Sequence, residues 1–441
     1  MAILTATLFA AGGTAWGAGG SSQAEESRDA RRRAKNVILL IGDGTGASEL
    51  TIARNYAFGA AGRMALDGLT DTGQMTTYSV READPSKPDY ASESASTATA
   101  WSTGSKTADG RISTAPLTDA DLTNTIDVAE QAGLLTGNVT TAELTDATPA
   151  APMAHVSARA CQGPADMTTC PQDKKSAGGP GSIAEQSLDH GVDVLLGGGR
   201  ARYEQVVDGG PFAGMTVIEQ AEAQGYEVVF DRAGLEAAQP GTKLLGLFTA
   251  GNMSVEWTGL PAANPPSGPQ RCTEDQRPAN EPSLDLMTER ALDLLTQSTA
   301  SAGRGFFLQV ESASIDKRNH TSQPCEQIGE TVNFDRAVQV ALDFAAADRH
   351  TLVIVTGDHA HTSQIVEPDQ TPPPPGFSSI LTTDEGENMM VTYGTGTTPT
   401  GQQHTGSQIP VAAFGPSSSS VRGLIDQTDL FGIMTGALGL G

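Results

Sequence analysis

Three apolar runs in this chain end in groups that are costly to bury without partners. The run "NVILLIGDGTG" leads into Asp43, and "GFFLQVESASIDKRNH" leads into Glu311, Asp316 and His320. The run "TLVIVTGDHAH" leads into Asp358, His359 and His361. Asp316 and His320 are spaced i, i+4, which puts both on one face if that segment is helical. A fourth fragment, "GQQHTGSQ", offers His404 in a polar loop. Ligand sites in parallel α/β sheets lie beyond the carboxyl ends of the strands, so the three tails are expected to converge. Carboxylates gathered in one crevice raise one another's pKa values, and cations remove that conflict. Histidine with Asp or Glu suits zinc, whereas an oxygen-only corner suits magnesium. Each fragment alone has a plainer reading: Gly-Asp-Gly makes turns, an Asp/His pair makes a solvated ion pair, and a loop histidine faces water. Three such tails in a chain with only seven histidines point to metal.

The stretch "PDYASESASTATAWSTG" places Ser94 after Glu93 and before a small-residue helix. A serine at a helix N-terminus has backbone amides aimed at any anion bonded to it. Ser92, Ser94 and Ser96 would also serve as helix caps. No G-x-S-x-G elbow, H-E-x-x-H or G-x-x-x-x-G-K-[ST] occurs, which disfavours three familiar hydrolase and nucleotide frames. With no histidine base nearby in the sequence, Ser94 needs a metal to lower its hydroxyl pKa. "GDGTGA" loosely fits a dinucleotide fingerprint, but the charge of Asp43 would oppose a pyrophosphate.

These residues need a scaffold, and the pattern from Asn36 onward supplies one. Apolar runs alternate with helical stretches, which predicts an α/β fold: a large, mostly parallel central sheet with helices on both faces and surface loop insertions. Strands are expected at Val37–Ile41, Gly137–Thr140, Val192–Leu196, Glu227–Phe230, Leu244–Phe248, Phe306–Val310 and Thr351–Val355. Helices are expected at Ser94–Ser102, Thr125–Ala132, Ile183–Asp189, Leu284–Gln297 and Ile328–Ala346. Residues 1–34 divide into a signal-like segment, lacking a basic start, and a polar linker. Residues 35–441 read as one continuous domain, because the unusual residues come from both ends; a Pro-rich surface insertion falls near 366–396.

Charge and cysteine content narrow the setting. The chain carries 27 basic and 52 acidic residues, a net charge of −25. That balance repels nucleic acid and anionic membrane, and no basic stripe exists beyond Arg31, Arg32 and Arg33. No run of 18 apolar residues is present to span a bilayer. Cys161, Cys170, Cys272 and Cys325 allow three pairings, of which local closure favours 161–170 and 272–325. Two bridges imply an oxidising compartment, hence a periplasmic or secreted protein.

Together the fragments resemble bacterial alkaline phosphatases from about Lys35 to Leu440. The resemblance rests on "NVILLIGDG", "PDYASESASTATAWSTG", "GNVTTAELTDATPAAPMAHV", "GFFLQVESASIDK", "TLVIVTGDHAH", "HTGSQIPVAAFGP" and "DQTDLF". It implies metal-dependent hydrolysis of phosphate monoesters with broad alcohol specificity, through a phosphoserine at Ser94. It further implies two Zn2+ and one Mg2+ per chain. Asp316, His320 and His404 would hold the zinc that binds the leaving oxygen and later supplies hydroxide. Asp43, Asp358 and His359 would hold the zinc that activates Ser94. Asp43 would bridge to magnesium, with Thr148 and Glu311 completing that site. Arg159 would clamp two phosphate oxygens. Asp146 would act through waters on magnesium and Lys317 through water to phosphate, while His361 is left outside the ligand set. Two cations roughly 4 Å apart stabilise both the entering and leaving oxygens of an in-line displacement.

The chain departs from the family pattern at Glu93, where Asp is usual, at Ser312, where Gly is common, and at Thr45, where Met is usual. None of these removes a ligand. The family resemblance also implies a homodimer, and inorganic phosphate as a bound product. A phosphodiesterase of the same superfamily is the closest rival; a sulfatase would typically need an oxidisable Cys in a C/S-x-P-x-R setting, which "ESASTA" lacks, and a mutase would need a further domain. A metal- or phosphate-binding protein without turnover would have no use for Ser94.

Overall fold

Val37, Leu39 and Ile41 pack into one apolar cluster while Ile38 and Leu40 pack into another, so the first strand is covered on both faces. The computed structural model that establishes this describes residues 33–302, 304–370 and 373–440. The signal-like segment and most of the linker lie outside the described residues, as do Arg31 and Arg32.

Ten strands form the main sheet: β1 (Asn36–Gly42), β2 (Asp71–Thr76), β3 (Leu135–Glu143), β4 (Val194–Gly198), β5 (Tyr226–Val229), β6 (Lys243–Leu247), β7 (Phe306–Ser312), β8 (Thr351–Gly357), β9 (Ile409–Phe414) and β10 (Gly423–Asp426). Their spatial order is β10-β2-β9-β8-β1-β7-β3-β4-β6-β5. All neighbours are parallel except those of β9, which runs against both β8 and β2. β1 lies between β7 and β8, with Gly42 level with Ser312 and Gly357. The three acid-bearing tails therefore leave the same edge of the sheet side by side.

The main helices are α1 (Ala47–Ala57), α2 (Ser94–Thr103), α3 (Thr125–Gln131), α4 (Ile183–Asp189), α5 (Leu284–Ala302), α6 (Ser314–His320), α7 (Pro324–Ala347) and α8 (Asp429–Leu438). On one face, Trp101 of α2, Ile126 of α3, Leu188 of α4 and Met434 of α8 pack with Leu39 and Ile354. On the other, Met287 and Leu295 of α5 and Phe334 and Val338 of α7 pack with Leu40, Leu308 and Val353. This is the expected two-sided α/β architecture.

Two expectations shift in detail. Helix α7 starts at Pro324 rather than Ile328, because proline suits the first helical turn, where its missing N–H costs nothing. The stretch read as a surface insertion also carries structure. Gln364–Val366, Phe377–Thr382 and Asn388–Tyr393 join Ser267–Gln270 in a four-stranded sheet. Leu381, Val391 and Tyr393 of that sheet bury against Ile52 and Tyr56 of α1 and Ile328 of α7. Residues 371 and 372, in its Pro-rich loop, lie outside the described residues.

Both disulfides form as local closure suggests, Cys161–Cys170 and Cys272–Cys325. The first braces the loop that follows Arg159; the second ties the start of α7 to the smaller sheet. No described helix is long and apolar enough to cross a membrane.

Candidate active site

The chain turns at Gly44 to bring Asp43 over the sheet edge. Gly44 has a φ of +64°, and a Cβ there would lie 2.9 Å from the Cα of Asp316, so glycine is required twice over. Its N–H donates to Asp358 Oδ1 at 2.8 Å, tying the tails of β1 and β8 together. Thr97 Oγ1 of α2 donates to Asp358 Oδ2 at 3.4 Å, and Gln427 donates to the Asp358 carbonyl.

Ser94 opens α2 and is buried. Its Oγ lies 3.5 Å from each carboxylate oxygen of Asp43 and 3.4 Å from His359 Nε2. The sequence shows no histidine near Ser94, yet His359 arrives from 265 positions away. Glu93 caps the helix: its Oε1 accepts from Ser96 N at 3.2 Å and from Gly110 N at 2.7 Å. Its Oε2 accepts from Arg159 Nη1, so the longer acid reaches the arginine while its other oxygen holds backbone.

Helix α6 is short and carries three functional side chains. Asp316 Oδ1 lies 3.3 Å from His404 Nε2 and 3.2 Å from His361 Nε2, and Oδ2 lies 3.4 Å from His320 Nε2. His361, set aside by the sequence reading, thus stands with Asp316, His320 and His404 in one group able to hold an ion. Its signal was the second histidine of "DHAH". Asp43, Asp316 and His359 form another such group.

His320 and His404 are fixed in their tautomers by the backbone. His320 Nδ1 faces the Gln402 carbonyl at 2.6 Å and His404 Nδ1 faces the Ser92 carbonyl at 2.9 Å. A carbonyl only accepts, so each Nδ1 bears a proton and the two Nε2 atoms are turned toward each other; burial disfavours a charged His404, but Asp316 outweighs it and lifts that ring to about 9. Those two nitrogens are 3.0 Å apart, a contact that needs a cation or a shared proton between them.

Glu311, near the end of β7, accepts from Thr140 Oγ1. Thr148 lies in a one-turn helix, Ala147–Ala150, and its Oγ1 is buried with no hydrogen-bond partner, as is Asp316 Oδ1. Asp146 caps that turn and takes two cations: Arg159 Nη2 at 2.6 Å and Lys317 Nζ at 2.6 Å. Asp146 and Lys317, expected to act on magnesium and phosphate through water, are also paired directly with each other.

The electrostatics show what these groups want. Burial, with Asp358, Asp316 and Glu311 adding to it, pushes Asp43 well above the usual carboxylate range. Burial lifts Glu311 to about 8 and Asp358 to about 6. Burial also opposes ionisation of Asp316, but the His361 and His404 rings outweigh it and hold the carboxyl well below its usual range. Burial and the neighbouring His404 keep His359 neutral. Asp146 is likewise buried, yet Lys317 and Arg159 hold it far below its ordinary value. Crowded carboxylates that resist ionisation, imidazole nitrogens turned onto each other and orphaned buried oxygens fit divalent cations.

A doubly covered α/β sheet with a serine, an arginine and an acid–imidazole cage at its carboxyl edge has the parts that hydrolysis of a phosphoryl ester needs. A model of the alkaline phosphatase family matches residues 34–400, and the chain belongs to that family. It is 52% identical over 412 residues to the streptomycin-6-phosphate phosphatase of Streptomyces griseus, covering 92% of this chain and 91% of that one. It is 49% identical over 416 residues to the alkaline phosphatase of Escherichia coli K12, covering 92% and 86%. Among solved structures it is similar to the alkaline phosphatase of the Antarctic bacterium TAB5, with a TM-score of 0.69, 22% identity and 93% and 99% coverage. The Thermus thermophilus alkaline phosphatase gives a TM-score of 0.70 at 23% identity, with 93% and 92% coverage; at such identities these structures bear on the fold alone. The chain is a phosphatase that hydrolyses phosphate monoesters.

Proposed function

We propose that this phosphatase works through a covalent phosphoserine at Ser94. The observation that carries the reading is the position of Ser94 Oγ, 3.5 Å from both oxygens of Asp43 and 3.4 Å from His359 Nε2. The Ser94 Oγ–P bond forms as the bond from phosphorus to the alcohol oxygen breaks, and the alcohol departs with a proton. Water then attacks the phosphoserine, the Oγ–P bond breaks, and inorganic phosphate leaves as Ser94 regains its proton. Arg159, held between Glu93 and Asp146, presents a planar fork to two non-transferred oxygens. Lys317 adds positive charge on the same side.

Asp316, His320 and His404 would hold one Zn2+, and Asp43, Asp358 and His359 a second. Asp43, Thr148 and Glu311 would hold Mg2+. When bound, these ions supply electrostatic stabilisation of the entering and leaving oxygens and a nucleophilic water near neutral pH. His361, beside Asp316, orients that carboxylate rather than holding an ion itself.

Recognition centred on the phosphate predicts broad use of alcohols. The name of the Streptomyces griseus relative adds streptomycin-6-phosphate to the candidate substrates, and the −25 net charge suits a cationic alcohol. The disulfides support a periplasmic or secreted location, and the family resemblance supports a homodimer.

The test is hydrolysis of an aryl phosphate monoester against the matching diester, before and after chelation, with intact mass after a rapid acid quench. Wild type should favour the monoester, lose turnover on chelation and show one added phosphoryl group. Undiminished monoester turnover in Ser94→Ala would overturn the covalent route.

A further inference from the structure

Asp127, His155 and His190 bring three ligand atoms within 4.8 Å of one another, and no step proposed for Ser94 uses any of them. Asp127 lies in the first turn of α3 and His190 caps the end of α4. His155 lies in the segment between the one-turn helix and Arg159, and it is pinned to α4 by paired hydrogen bonds with Gln186, at 2.9 and 3.0 Å. Three separate pieces of backbone thus meet at these side chains.

Asp127 faces an imidazole with each of its two oxygens. His155 Nε2 lies 3.4 Å from Asp127 Oδ2, and His190 Nδ1 lies 3.4 Å from Asp127 Oδ1. Those separations are long for a hydrogen bond. They leave room for an ion drawn in between the carboxylate and the two rings.

The donor chemistry agrees. His155 Nδ1 faces the Ser113 carbonyl at 3.0 Å, so Nδ1 holds a proton and Nε2 is the atom turned toward Asp127. A ligating histidine ordinarily donates its other N–H in this way. Asn124 Nδ2 stands 3.2 Å from that same Nε2 and gives way when an ion binds there. Glu130, one turn along α3, stands outside that group of three: its Oε2 lies 4.0 Å from His190 Nδ1, and its Oε1 is buried without a hydrogen-bond partner. Burial, with the Asp127 charge adding to it, lifts Glu130 to about 7. Lys243 relieves part of that conflict and Asp193 adds to it. All four side chains retain some exposure, between 11% and 30%, so an ion has a way in.

We propose that Asp127, His155 and His190 form a further metal site, sharing no residue with the cage at Ser94, that takes Zn2+ or a similar borderline divalent ion, with Glu130 adding negative charge beside it. Two imidazoles with one carboxylate suit that class over Ca2+ or Mg2+. Bound there, the ion clips α3 and the end of α4 to the segment that leads into Arg159.

The site is tested by metal content of the full-length protein, prepared without a histidine tag and dialysed exhaustively after exposure to Zn2+. His190→Ala and Asp127→Asn should each bind one Zn2+ fewer per chain than wild type and keep monoester turnover within about two-fold. Cobalt in place of zinc should lose a matching part of its visible absorption in either variant. If either variant is too unstable to purify, the other decides. Equal zinc content in wild type and in whichever variant folds overturns the proposal. Turnover reports separately on Ser94, so loss of this zinc with full activity, or the reverse, keeps the two readings apart.

Discussion

The imidazoles of His320 and His404 meet nitrogen to nitrogen, Nε2 to Nε2, at 3.0 Å. Each is held there by its own carbonyl partner, and both flank the buried carboxylate of Asp316. The backbone has spent its freedom on a pair of nitrogens turned onto each other, a contact that needs a cation or a shared proton between them. Replacing His404 by alanine should lower bound zinc by one ion per chain and cut kcat/KM by roughly 10³-fold, several kcal/mol of lost charge stabilisation. Unchanged metal content in that variant would show that the pair is not a ligand set.

The Glu93–Arg159 contact makes a prediction about affinity. Glu93 uses one oxygen on Gly110 N and the other on Arg159; aspartate is one methylene shorter and cannot span both. Glu93→Asp should therefore loosen the arginine and raise the inhibition constant for inorganic phosphate several-fold. Arg159→Lys, which loses the two-pronged fork, should raise it by on the order of 10-fold to 100-fold. Inhibition by phosphate across the three proteins is the measurement.

Asp146 serves two cations at once, each at 2.6 Å. Asparagine there leaves Arg159 and Lys317 short of a buried counter-charge, a loss of about 3 kcal/mol. The carboxyl is held far below its ordinary value, burial notwithstanding. Its contribution to stability is therefore present above the unfolded-state value near 4 and disappears as pH falls below it. Urea unfolding at pH 7 should show the full deficit of Asp146→Asn, and unfolding at low pH a smaller one.

Glu49 behaves in the opposite sense. It is buried in α1, accepting from Gly46 N at 3.0 Å and from Ser363 Oγ at 2.7 Å, and burial raises its pKa to about 7. The folded state holds this proton more tightly than the unfolded chain does. Its contribution is complete below about pH 4.5 and is lost as pH rises through 7. Glu49→Gln keeps the shape without the titration. Between pH 5 and pH 8 wild type should lose up to roughly 3 kcal/mol relative to that variant, read as the difference of their urea midpoints. Parallel pH profiles for the two proteins would contradict the assignment.

Much of this was readable before any coordinates. The strand at Val37–Ile41 announces itself because both faces are apolar, and its neighbours around Phe306–Val310 and Thr351–Val355 do the same. The carboxylates and histidines sit where those runs stop, so their convergence follows from sheet topology. What could not be read depends on distance along the chain. β2, "DTGQMT", has one large apolar residue and is a strand only because β9 and β10 pair with it; local preference gives way to partners there. Thr140 on Glu311, Thr97 on Asp358 and Gln427 on the Asp358 carbonyl are ordinary polar residues until the fold sets them beside the site. The Asp127, His155 and His190 group escapes for the same reason, because no two of its members are close in sequence.

The central claim is that the acid–imidazole cage at the sheet edge is occupied by divalent ions and that Ser94 uses them. It is tested most directly by measuring metal content and monoester turnover on the same samples of wild type, chelated wild type, reconstituted wild type and Ser94→Ala. The account predicts that turnover falls with the ions in the chelated sample and returns with them, while Ser94→Ala keeps its metal and loses turnover. Full turnover in wild type stripped of metal, or in Ser94→Ala, would contradict it.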